Sequence, residues 1–556
     1  MTHPRLVAAM IDPGFYPHRP AEVEMVQTHI SYVFIAGDEV YKVKKAVDFG
    51  FLDFTTLEKR RHYCHEELRL NRRLAPETYL GVVAIREDGR DGRLVLGDDG
   101  GNGGRVVDYA VRMRKLPPER MLKSLVAARD FDPAVFAAIA EKLAAFHRQA
   151  DTGGRIDEIG SPETIRRNHE ENFVQTEKYI GITIPDFQFR FIRNYIFRFM
   201  EGKAALLARR VREHRIRDGH GDLHLEHIVV DREIVIFDCI EFNERFRYGD
   251  VAGEAAFLAM DLDYNGYEEH ADRFVADYAR FAGDEELLGL INFYKCYYAY
   301  VRGKVVSFRM DDPAIDARGK EEARQLAVRY FDLAYTYAAR LEQPALILIT
   351  GLMGTGKSVL ASLAAPRLGA VVIRTDVLRK ELFNLAPTDR HHVEFGQGIY
   401  GEDISEKTYA AAHERAAELL RSGRPVIIDA SYKRARQRND ALALAWRLGV
   451  PFLRVECVCP DEVIRERLER RARDPREASD GRWEIYAAQK GDYEREDGLP
   501  GDNRLTVDSS LPPETCLHRT LARLRSSLPS PTPFSAPAAF SLPPSGTVSA
   551  SPRYRP

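Results

Sequence analysis

The 556-residue chain carries 81 Lys and Arg against 84 Asp and Glu, and 44% of its residues are hydrophobic. A formal net charge of −3 gives no reason to expect a protein that coats nucleic acid or an anionic membrane through its overall field, although local patches could still bind them. At about 100–200 residues per domain, this length allows about three or four domains.

The cysteines and the N-terminus bear on the cellular setting. Six cysteines are scattered without a CxxC pair, which argues against both a disulfide framework and a zinc ribbon. The first residues lack the apolar core of a signal peptide, and no apolar run approaches the roughly 18 residues that span a bilayer. We therefore expect a reduced, cytoplasmic protein without a leader or a membrane helix.

Strand signals are concentrated early in the chain and helical signals follow them. One helix is predicted at 56–74, among the strands, and after the two prolines at 117 and 118 the chain becomes mostly helical. This order predicts an α+β bilobal architecture, with a small β-rich lobe before a larger helical lobe. The predicted strands cover 28–37, 39–45, 81–86, 92–97 and 105–113.

A domain boundary is predicted near residue 343, after a long helical stretch and before an apolar strand. From there strands and helices alternate, which is typical of a parallel sheet covered by helices, the α/β class. Residues 526–556 are rich in Pro and Ser without an acidic residue, and predict a disordered tail. The expected domains are therefore 1–342 and 343–525, followed by the tail. The predicted strands of the second domain cover 345–350, 370–375, 425–430, 451–458 and 504–508.

Residues 351–358 read GLMGTGKS and match the phosphate-loop pattern GxxxxGK[ST] between a predicted strand and a helix. Glycines let backbone N–H groups turn toward phosphates, and the helix N-terminus adds partial positive charge. The pattern predicts an ATP site in which Lys357 reaches the β- and γ-phosphates and Ser358 ligates Mg²⁺. The other predicted nucleotide-binding residues of this loop are Gly351, Gly354, Thr355 and Gly356.

Two further strand ends of the second domain carry charged side chains. Asp429 ends the predicted strand 425–430, where a carboxylate can hold magnesium through water, although strands also end in Asp for capping reasons. Asp376 and Arg379 follow the strand 370–375, and ligands bind at this edge of such sheets. The three strand ends together predict a phosphate-handling site.

This combination resembles the small P-loop kinases related to polynucleotide kinase and gluconate kinase. The resemblance implies that Asp376 accepts the proton of the acceptor hydroxyl and that Arg379 steadies the acceptor. Residues 465–482 contain seven arginines and resemble the mobile lid of that family, whose arginines close over the transferring group. A solvated helix face is the alternative for this run. The lid arginines singled out are Arg470, Arg471 and Arg473.

A second constellation lies in the first domain, where the sequence from 220 to 227 reads HGDLHLEH. His220, His224 and His227 would share one face of a helix and suit zinc. However, Gly221 and Asp222 make a poor helix start, and strand-like residues follow. A loop is therefore favoured over a zinc helix.

Read as a loop, this stretch and the strand-end Asp238 resemble the aminoglycoside phosphotransferases and the wider kinase-like fold. The resemblance implies that Asp222 is the catalytic base and that Asp238 ligates magnesium. It also implies that Lys42 holds the α- and β-phosphates, with Glu67 as its ion-pair partner. Lys44 and Glu66 are the rivals for those two roles, and sequence spacing leaves the choice open.

One position departs from the kinase-like pattern, because residue 227 is His where the pattern has Asn as a metal ligand. Magnesium prefers oxygen ligands, and neutral imidazole is a poor substitute. Two outcomes stay open for the first domain: nucleotide binding without transfer, or an active site in which Glu241 supplies the missing oxygen. Asp250 and the apolar helix after it are expected to brace the catalytic loop.

The leading hypothesis is an ATP- and Mg²⁺-dependent phosphotransferase whose second domain phosphorylates a hydroxyl of a small molecule. The first domain is expected to bind or phosphorylate a hydroxylated molecule. The rival hypothesis is a nucleotide-dependent regulator that phosphorylates no acceptor. A nucleic-acid acceptor stays open through the polynucleotide kinase resemblance, but the chain has no extended basic patch with interleaved aromatic residues.

Overall fold

The computed structural model describes residues 4–89, 92–100, 104–313, 315–385, 401–471, 483–494 and 498–527. Arg473 and residues 528–556 of the predicted tail lie outside these ranges. The last helix reaches Ser527, two residues into the segment predicted as tail. Among the described residues, no helix combines the length and the apolar character needed to cross a membrane. All six cysteines are free thiols.

The N-terminal lobe is a six-stranded antiparallel sheet with strand order β1-β2-β3-β6-β4-β5. Alternation along β2 points Tyr32, Phe34 and Ala36 into a core, whereas helix α2 covers the sheet through Cys64. Helix α2 begins at a Thr56 cap, whose hydroxyl accepts from the backbone of Lys59. The elements are α1 (Pro4–Ile11), β1 (Val23–Gln27), β2 (Ser31–Ala36), β3 (Glu39–Lys44), α2 (Leu57–Asn71), β4 (Tyr79–Glu87), β5 (Leu94–Asp98) and β6 (Arg105–Arg114).

The second lobe is helical and contains two small antiparallel strand pairs, β7 with β10 and β8 with β9. Helix α10 is buried along nearly its whole length, because small and apolar side chains surround its axis. The helices are α3 (Leu122–Ala128), α4 (Ala134–Gln149), α5 (Arg155–Ile159), α6 (Pro162–Thr176), α7 (Asp186–Gly202), α8 (Ala204–Arg212), α9 (Glu244–Arg247), α10 (Val251–Tyr264), α11 (Glu268–Ala282), α12 (Ile291–Phe308) and α13 (Ala317–Ala339). The strands are β7 (Ile216–Asp218), β8 (Ile228–Val230), β9 (Ile234–Ile236) and β10 (Tyr248–Asp250).

The C-terminal half is a parallel sheet of five strands in the order β12-β13-β11-β14-β15. The central strand β11 is buried at every residue, as expected for a strand covered on both faces. Its elements are β11 (Leu346–Thr350), α14 (Lys357–Leu368), β12 (Val371–Arg374), α15 (Thr375–Leu382), α16 (Glu402–Arg421), β13 (Val426–Asp429), α17 (Ala435–Leu448), β14 (Phe452–Val458), α18 (Asp461–Arg471), α19 (Trp483–Gly491), β15 (Arg504–Asp508) and α20 (Pro513–Ser527). Both predicted fold classes are confirmed.

The structure adds elements that the sequence patterns did not predict. Strand β1 and helix α1 precede the first predicted strand. Residue 375 was predicted to end strand β12, but Thr375 and Asp376 form the first turn of helix α15. Asp376 therefore lies on a rigid helix start rather than on a strand end.

The two halves share one continuous hydrophobic core. Tyr335 on α13 packs in the same cluster as Ile347 on β11 and Leu360 on α14. At the edge of this cluster, Nη2 of Arg367 donates to both oxygens of the Asp332 carboxylate, at 2.8 and 3.0 Å. Helix α13 thus connects the helical lobe directly to the helix that follows the glycine-rich loop.

Arg210 is the most deeply buried cation of the helical lobe, with a side chain that is 1% exposed. Its guanidinium donates to the Asp250 carboxylate at 2.6 and 2.7 Å. On its other side it donates to Asp284 at 3.0 and 2.9 Å. One cation therefore joins the start of α10 to the segment after α11. Without it the Asp250 carboxylate would be buried without a cation, and Asp284 would keep only the more distant Arg215, at 3.7 Å.

We predict that Arg210→Ala lowers the free energy of unfolding by about 3–5 kcal/mol, because removing one partner leaves buried charge uncompensated. Arg209→Ala is the matched control on the same helix, since its exposed side chain pairs only with surface carboxylates. Urea unfolding followed by circular dichroism measures both. Equal midpoints for the two variants would contradict the structural role of Arg210.

Candidate active sites

Three neighbouring strands of the parallel sheet end at one edge. Asp429 is the last residue of β13, and it lies in register with Ile349 of β11 and Arg374 of β12. The glycine-rich loop follows β11, and α15 begins directly after β12. Because adjacent strands lie about 4.8 Å apart, the three chain segments meet within one site.

The loop 351–358 has the backbone that a phosphate cradle requires. Gly351, Gly354 and Gly356 have φ of +134°, +77° and +82°, which favour glycine. A Cβ on Gly351 would lie 2.4 Å from the Cys457 carbonyl oxygen, so no other residue fits there. The loop leads into α14 at Lys357, where helix N–H groups point outward.

The polar side chains of the loop turn back onto it. Thr355 Oγ1 donates to the Leu352 carbonyl oxygen at 2.8 Å, and Lys357 Nζ donates to the same oxygen at 2.9 Å. Both contacts tie these two side chains to the backbone of the loop. Lys357 is thereby held at the loop, where phosphates would lie.

Asp429 and Ser358 form the pair of oxygen donors beside this loop. Their side chains are hydrogen bonded, and burial raises the pKa of Asp429. A divalent cation would offset the cost of burying the ionised carboxylate. A carboxylate and a hydroxyl are the hard oxygen ligands that Mg²⁺ prefers, so these residues fit a magnesium ion.

Asp376 lies in the first turn of α15, close enough to Asp429 that its charge also raises the pKa of that carboxyl group. Arg379 lies one turn further along the helix and donates through Nη1 to Ser405 Oγ at 3.2 Å. The predicted base and the predicted acceptor-binding residue therefore share one helix at the carboxyl edge of the sheet.

Two of the predicted lid arginines lie on α18, which ends where the described residues stop before 472–482. Arg470 is exposed on α18, and Arg471 is the last residue of that helix. Arg467, which sequence reasoning did not single out, is the arginine beside the loop: its Nη2 donates to the Ser509 carbonyl oxygen at 2.6 Å. A Cβ on Gly356 would lie 3.4 Å from Arg467 Nη1. The sequence feature that could have identified Arg467 is its position between Ile464 and Leu468, which face the interior.

The N-terminal site is built on two lysines of β3. Lys42 Nζ lies 2.6 Å from Asp238 Oδ1 and 2.9 Å from Glu67 Oε1. Burial lowers the pKa of Lys42, but the two carboxylates outweigh that effect and raise it well above its ordinary value. Lys42 thus bridges the sheet, helix α2 and the segment after β9.

Lys44 and the other carboxylates are engaged elsewhere. Lys44 is buried deeper, between Glu67 and Glu241, with its Nζ 2.7 Å from Glu67 Oε2. Glu66 pairs with Arg69 on the surface of α2. Glu241 is therefore committed to Lys44 and does not supply the oxygen that His227 lacks.

Residues 220–227 form a loop with only a short 3-10 turn, Leu225–His227, so the three histidines do not share a helix face. The loop brings Asp222 and His227 together, with His227 Nδ1 2.8 Å from the Asp222 carbonyl oxygen. His227 Nε2 lies 3.6 Å from Asp238 Oδ2. Asp238 adopts φ of +62°, which turns its carboxylate toward both Lys42 and His227.

Glu254 on α10 holds this loop in place. Its Oε1 accepts from the backbone N–H groups of His220 and Gly221, the latter at 2.6 Å. Its Oε2 lies 2.7 Å from His147 Nε2. Of the expected brace, the helix contacts the loop through Glu254, whereas Asp250 caps that helix and binds Arg210. No sequence signal distinguished Glu254 from the other acidic residues nearby.

We predict that Glu254→Ala loosens the loop, because each buried N–H left without an acceptor costs about 1–3 kcal/mol. Hydrogen exchange at residues 219–224 should accelerate by about tenfold or more. Glu268→Ala, an exposed glutamate of α11, is the control. Unchanged exchange in the Glu254 variant would show that other contacts hold the loop.

Comparison with known proteins finds similarities for each half of the chain. Residues 346–495 match the family model described as "AAA domain", which confirms the predicted P-loop domain. A gluconokinase from Sinorhizobium meliloti is 20% identical and covers 34% of this chain and 94% of its own, with a TM-score of 0.25. A putative aminoglycoside phosphotransferase from Ralstonia eutropha is 14% identical and covers 60% and 96%, with a TM-score of 0.35. Because both scores are low, the fold assignments rest on strand order and register.

One relative spans both halves. Uncharacterized protein Rv2004c of Mycobacterium tuberculosis is 33% identical over 473 residues. The match covers 85% of this chain and 91% of the relative, so it extends into both halves. The protein therefore belongs to the family of Rv2004c.

Proposed function

We propose that this protein is an ATP-dependent phosphotransferase whose C-terminal half transfers the γ-phosphoryl group of ATP to a hydroxyl of a small molecule. The N-terminal half is a second kinase-like unit that binds a nucleotide and a hydroxylated molecule. The kinase-type folds of both halves support phosphoryl transfer as the reaction class.

The observation that carries the proposal is the convergence at one sheet edge. A cradle of N–H donors follows β11, a buried carboxylate ends β13, and a carboxylate with an arginine begins α15 directly after β12. A phosphate cradle alone is compatible with hydrolysis or with switching. The added carboxylate on the acceptor side, Asp376, favours transfer to a hydroxyl.

The proposed chemistry uses these side chains in order. Asp376 takes the proton of the acceptor hydroxyl as its oxygen attacks the γ-phosphorus, and the bond from that phosphorus to the bridging oxygen of ADP breaks. Lys357 and the loop N–H groups stabilise the negative charge that collects on the phosphoryl and leaving oxygens. Ser358 and Asp429 would hold Mg²⁺, which supplies further charge neutralisation when bound.

Two arginines complete the proposed site. Arg379, three residues after Asp376, would steady the acceptor from the same helix. Arg467, anchored by Ser509 beside the loop, is placed to approach the phosphates from the α18 side. Fixed guanidinium groups on both sides favour transfer over release of the phosphoryl group to water.

We predict that Asp376→Asn retains ATP binding and lowers transfer by about 10²- to 10⁴-fold, the usual contribution of a general base. Asp440→Asn on α17, which removes an exposed carboxylate, is the matched control and should leave transfer unchanged. The assay follows γ-labelled phosphate from ATP to pooled sugars, nucleosides, aminoglycosides and oligonucleotides. ATP consumption that is unaltered in Asp376→Asn would contradict the proposal and favour a nucleotide-dependent regulator.

We predict that Lys357→Ala abolishes nucleotide binding at the C-terminal site, because the loop loses its only lysine. Equilibrium binding of a labelled non-hydrolysable ATP analogue with Mg²⁺ measures this directly. Retained binding with lost transfer would instead place Lys357 in catalysis alone.

A further inference from the structure

Two groups that ordinarily accept hydrogen bonds face each other in the N-terminal site. They are Nε2 of His227 and Oδ2 of Asp238, which lie 3.6 Å apart. The His227 side chain is mostly buried, at 14% exposed, whereas Asp238 is partly open to solvent, at 39%. The hydrogen bonds of the surrounding groups determine what can lie between them.

The tautomer of His227 follows from its other nitrogen. Nδ1 lies 2.8 Å from the Asp222 carbonyl oxygen, and a carbonyl oxygen only accepts, so Nδ1 carries a proton. In a neutral imidazole the other nitrogen then holds a lone pair. That lone pair is on Nε2 and points toward the Asp238 carboxylate.

The other histidine of this cluster, His224, does not present such a lone pair to a metal ion. His224 Nδ1 accepts from the backbone N–H of Glu226 at 3.3 Å, so in the neutral ring the proton is on Nε2, which lies 3.5 Å from Asp222 Oδ2. Ligand atoms of Asp222, His224 and His227 all lie within 4.8 Å of one another, but these hydrogen bonds occupy His224. His227 Nε2 is the ring nitrogen left for a ligand bond.

The spacing of the facing pair suits a single metal ion. Zinc bonds to imidazole nitrogen and carboxylate oxygen at about 2.0–2.2 Å, so two such ligands at a tetrahedral angle lie roughly 3.4 Å apart. Asp238 Oδ1 is held by Lys42, which leaves Oδ2 aimed at His227. Hydrogen bonds therefore fix the second atom of both side chains, as is usual for metal ligands.

The same donor set does not fit magnesium. Mg²⁺ takes oxygen ligands in octahedral geometry, whereas imidazole nitrogen suits zinc and similar transition metals. Glu241, the nearby carboxylate considered as a source of the missing oxygen, is bound to Lys44. The N-terminal site thus differs in ion chemistry from the Asp429 and Ser358 pair in the other half.

We propose that the N-terminal site binds a divalent transition-metal ion such as Zn²⁺ through His227 Nε2 and the Asp238 carboxylate, in preference to Mg²⁺. Waters or the phosphates of a nucleotide would complete the coordination shell. The metal preference rests on the geometry alone, and its coupling to nucleotide rests on the proposed function of this half.

The first test measures the metal alone. Full-length protein is dialysed against Zn²⁺ with a hundredfold excess of Mg²⁺, and the bound zinc is counted for wild type, His227→Asn and His214→Asn. His214 is the matched control, because its ring is exposed, its ion-pair contact is Asp157 outside the loop, and its φ of +55° suits Asn. We expect His227→Asn to bind one equivalent less than wild type, and His214→Asn to equal wild type.

Equal zinc binding by wild type and His227→Asn overturns the proposal, and so does displacement of all zinc by magnesium. Asp238→Asn, which changes the side-chain volume very little, should also lose one equivalent of zinc. With two variants, a folding defect in one of them does not decide whether the metal site exists. Zinc held by thiols is common to all variants and cancels in the comparison. A protonated His227 paired with Asp238, the other arrangement of these atoms, predicts no lost equivalent.

The second test adds a nucleotide in the Lys357→Ala background, where the C-terminal loop is disabled. We expect a labelled non-hydrolysable ATP analogue to bind at least tenfold more tightly with Zn²⁺ than with Mg²⁺, and His227→Asn to reverse that preference. Zinc bound without any nucleotide binding would contradict the nucleotide role of this half while supporting the metal site. Binding that prefers Mg²⁺ in the presence of His227 would overturn the metal inference alone.

Discussion

A buried ionised group requires an opposite charge beside it, and this constraint organises both candidate sites. In the N-terminal half, Lys42 and Lys44 are buried on one strand and draw in carboxylates from α2 and from the segment after β9. The sheet and the helical lobe are thereby joined through charge pairs. In the C-terminal half, the buried Asp429 carboxylate has a hydroxyl partner and a raised pKa, which is the environment of a cation ligand. The arrangement of side chains in both sites follows from how these charges are balanced.

Much of the architecture could be predicted from residue patterns. The parallel strands were recognisable because β11 and β13 are short apolar runs, and the phosphate loop has a backbone that demands glycine at 351, 354 and 356. Helix α15 was missed because its first turn reads as the end of an apolar strand. Helix α1 and strand β1 were missed because they are short, and β1 is mostly exposed.

The residues of the candidate sites could be predicted from the sequence to different extents. Asp376, Arg379 and Asp429 follow strands of one sheet, so chain order alone brings them to one edge. Lys42 and Lys44 both contact Glu67 and differ in burial depth, which sequence spacing does not reveal. Glu254 and Arg467 act through backbone groups that are distant in sequence, and such contacts leave no local pattern. The orientation of the His227 ring likewise depends on one carbonyl oxygen.

The shared hydrophobic core packs the two halves against each other. Helix α13 packs on the helical lobe and, through Asp332, holds Arg367 on the helix that begins at the phosphate loop. Movement of either site relative to the other would therefore disturb a large apolar interface and a bidentate ion pair.

The central claim is that one chain carries two separate nucleotide sites with different ion requirements. Calorimetric titration of full-length protein with a non-hydrolysable ATP analogue, in Mg²⁺ and Zn²⁺ together, tests it most directly. The account predicts two equivalents bound to wild type, and one each to Lys357→Ala and Lys42→Ala. A single equivalent in wild type that only one of the two lysine substitutions removes would contradict it.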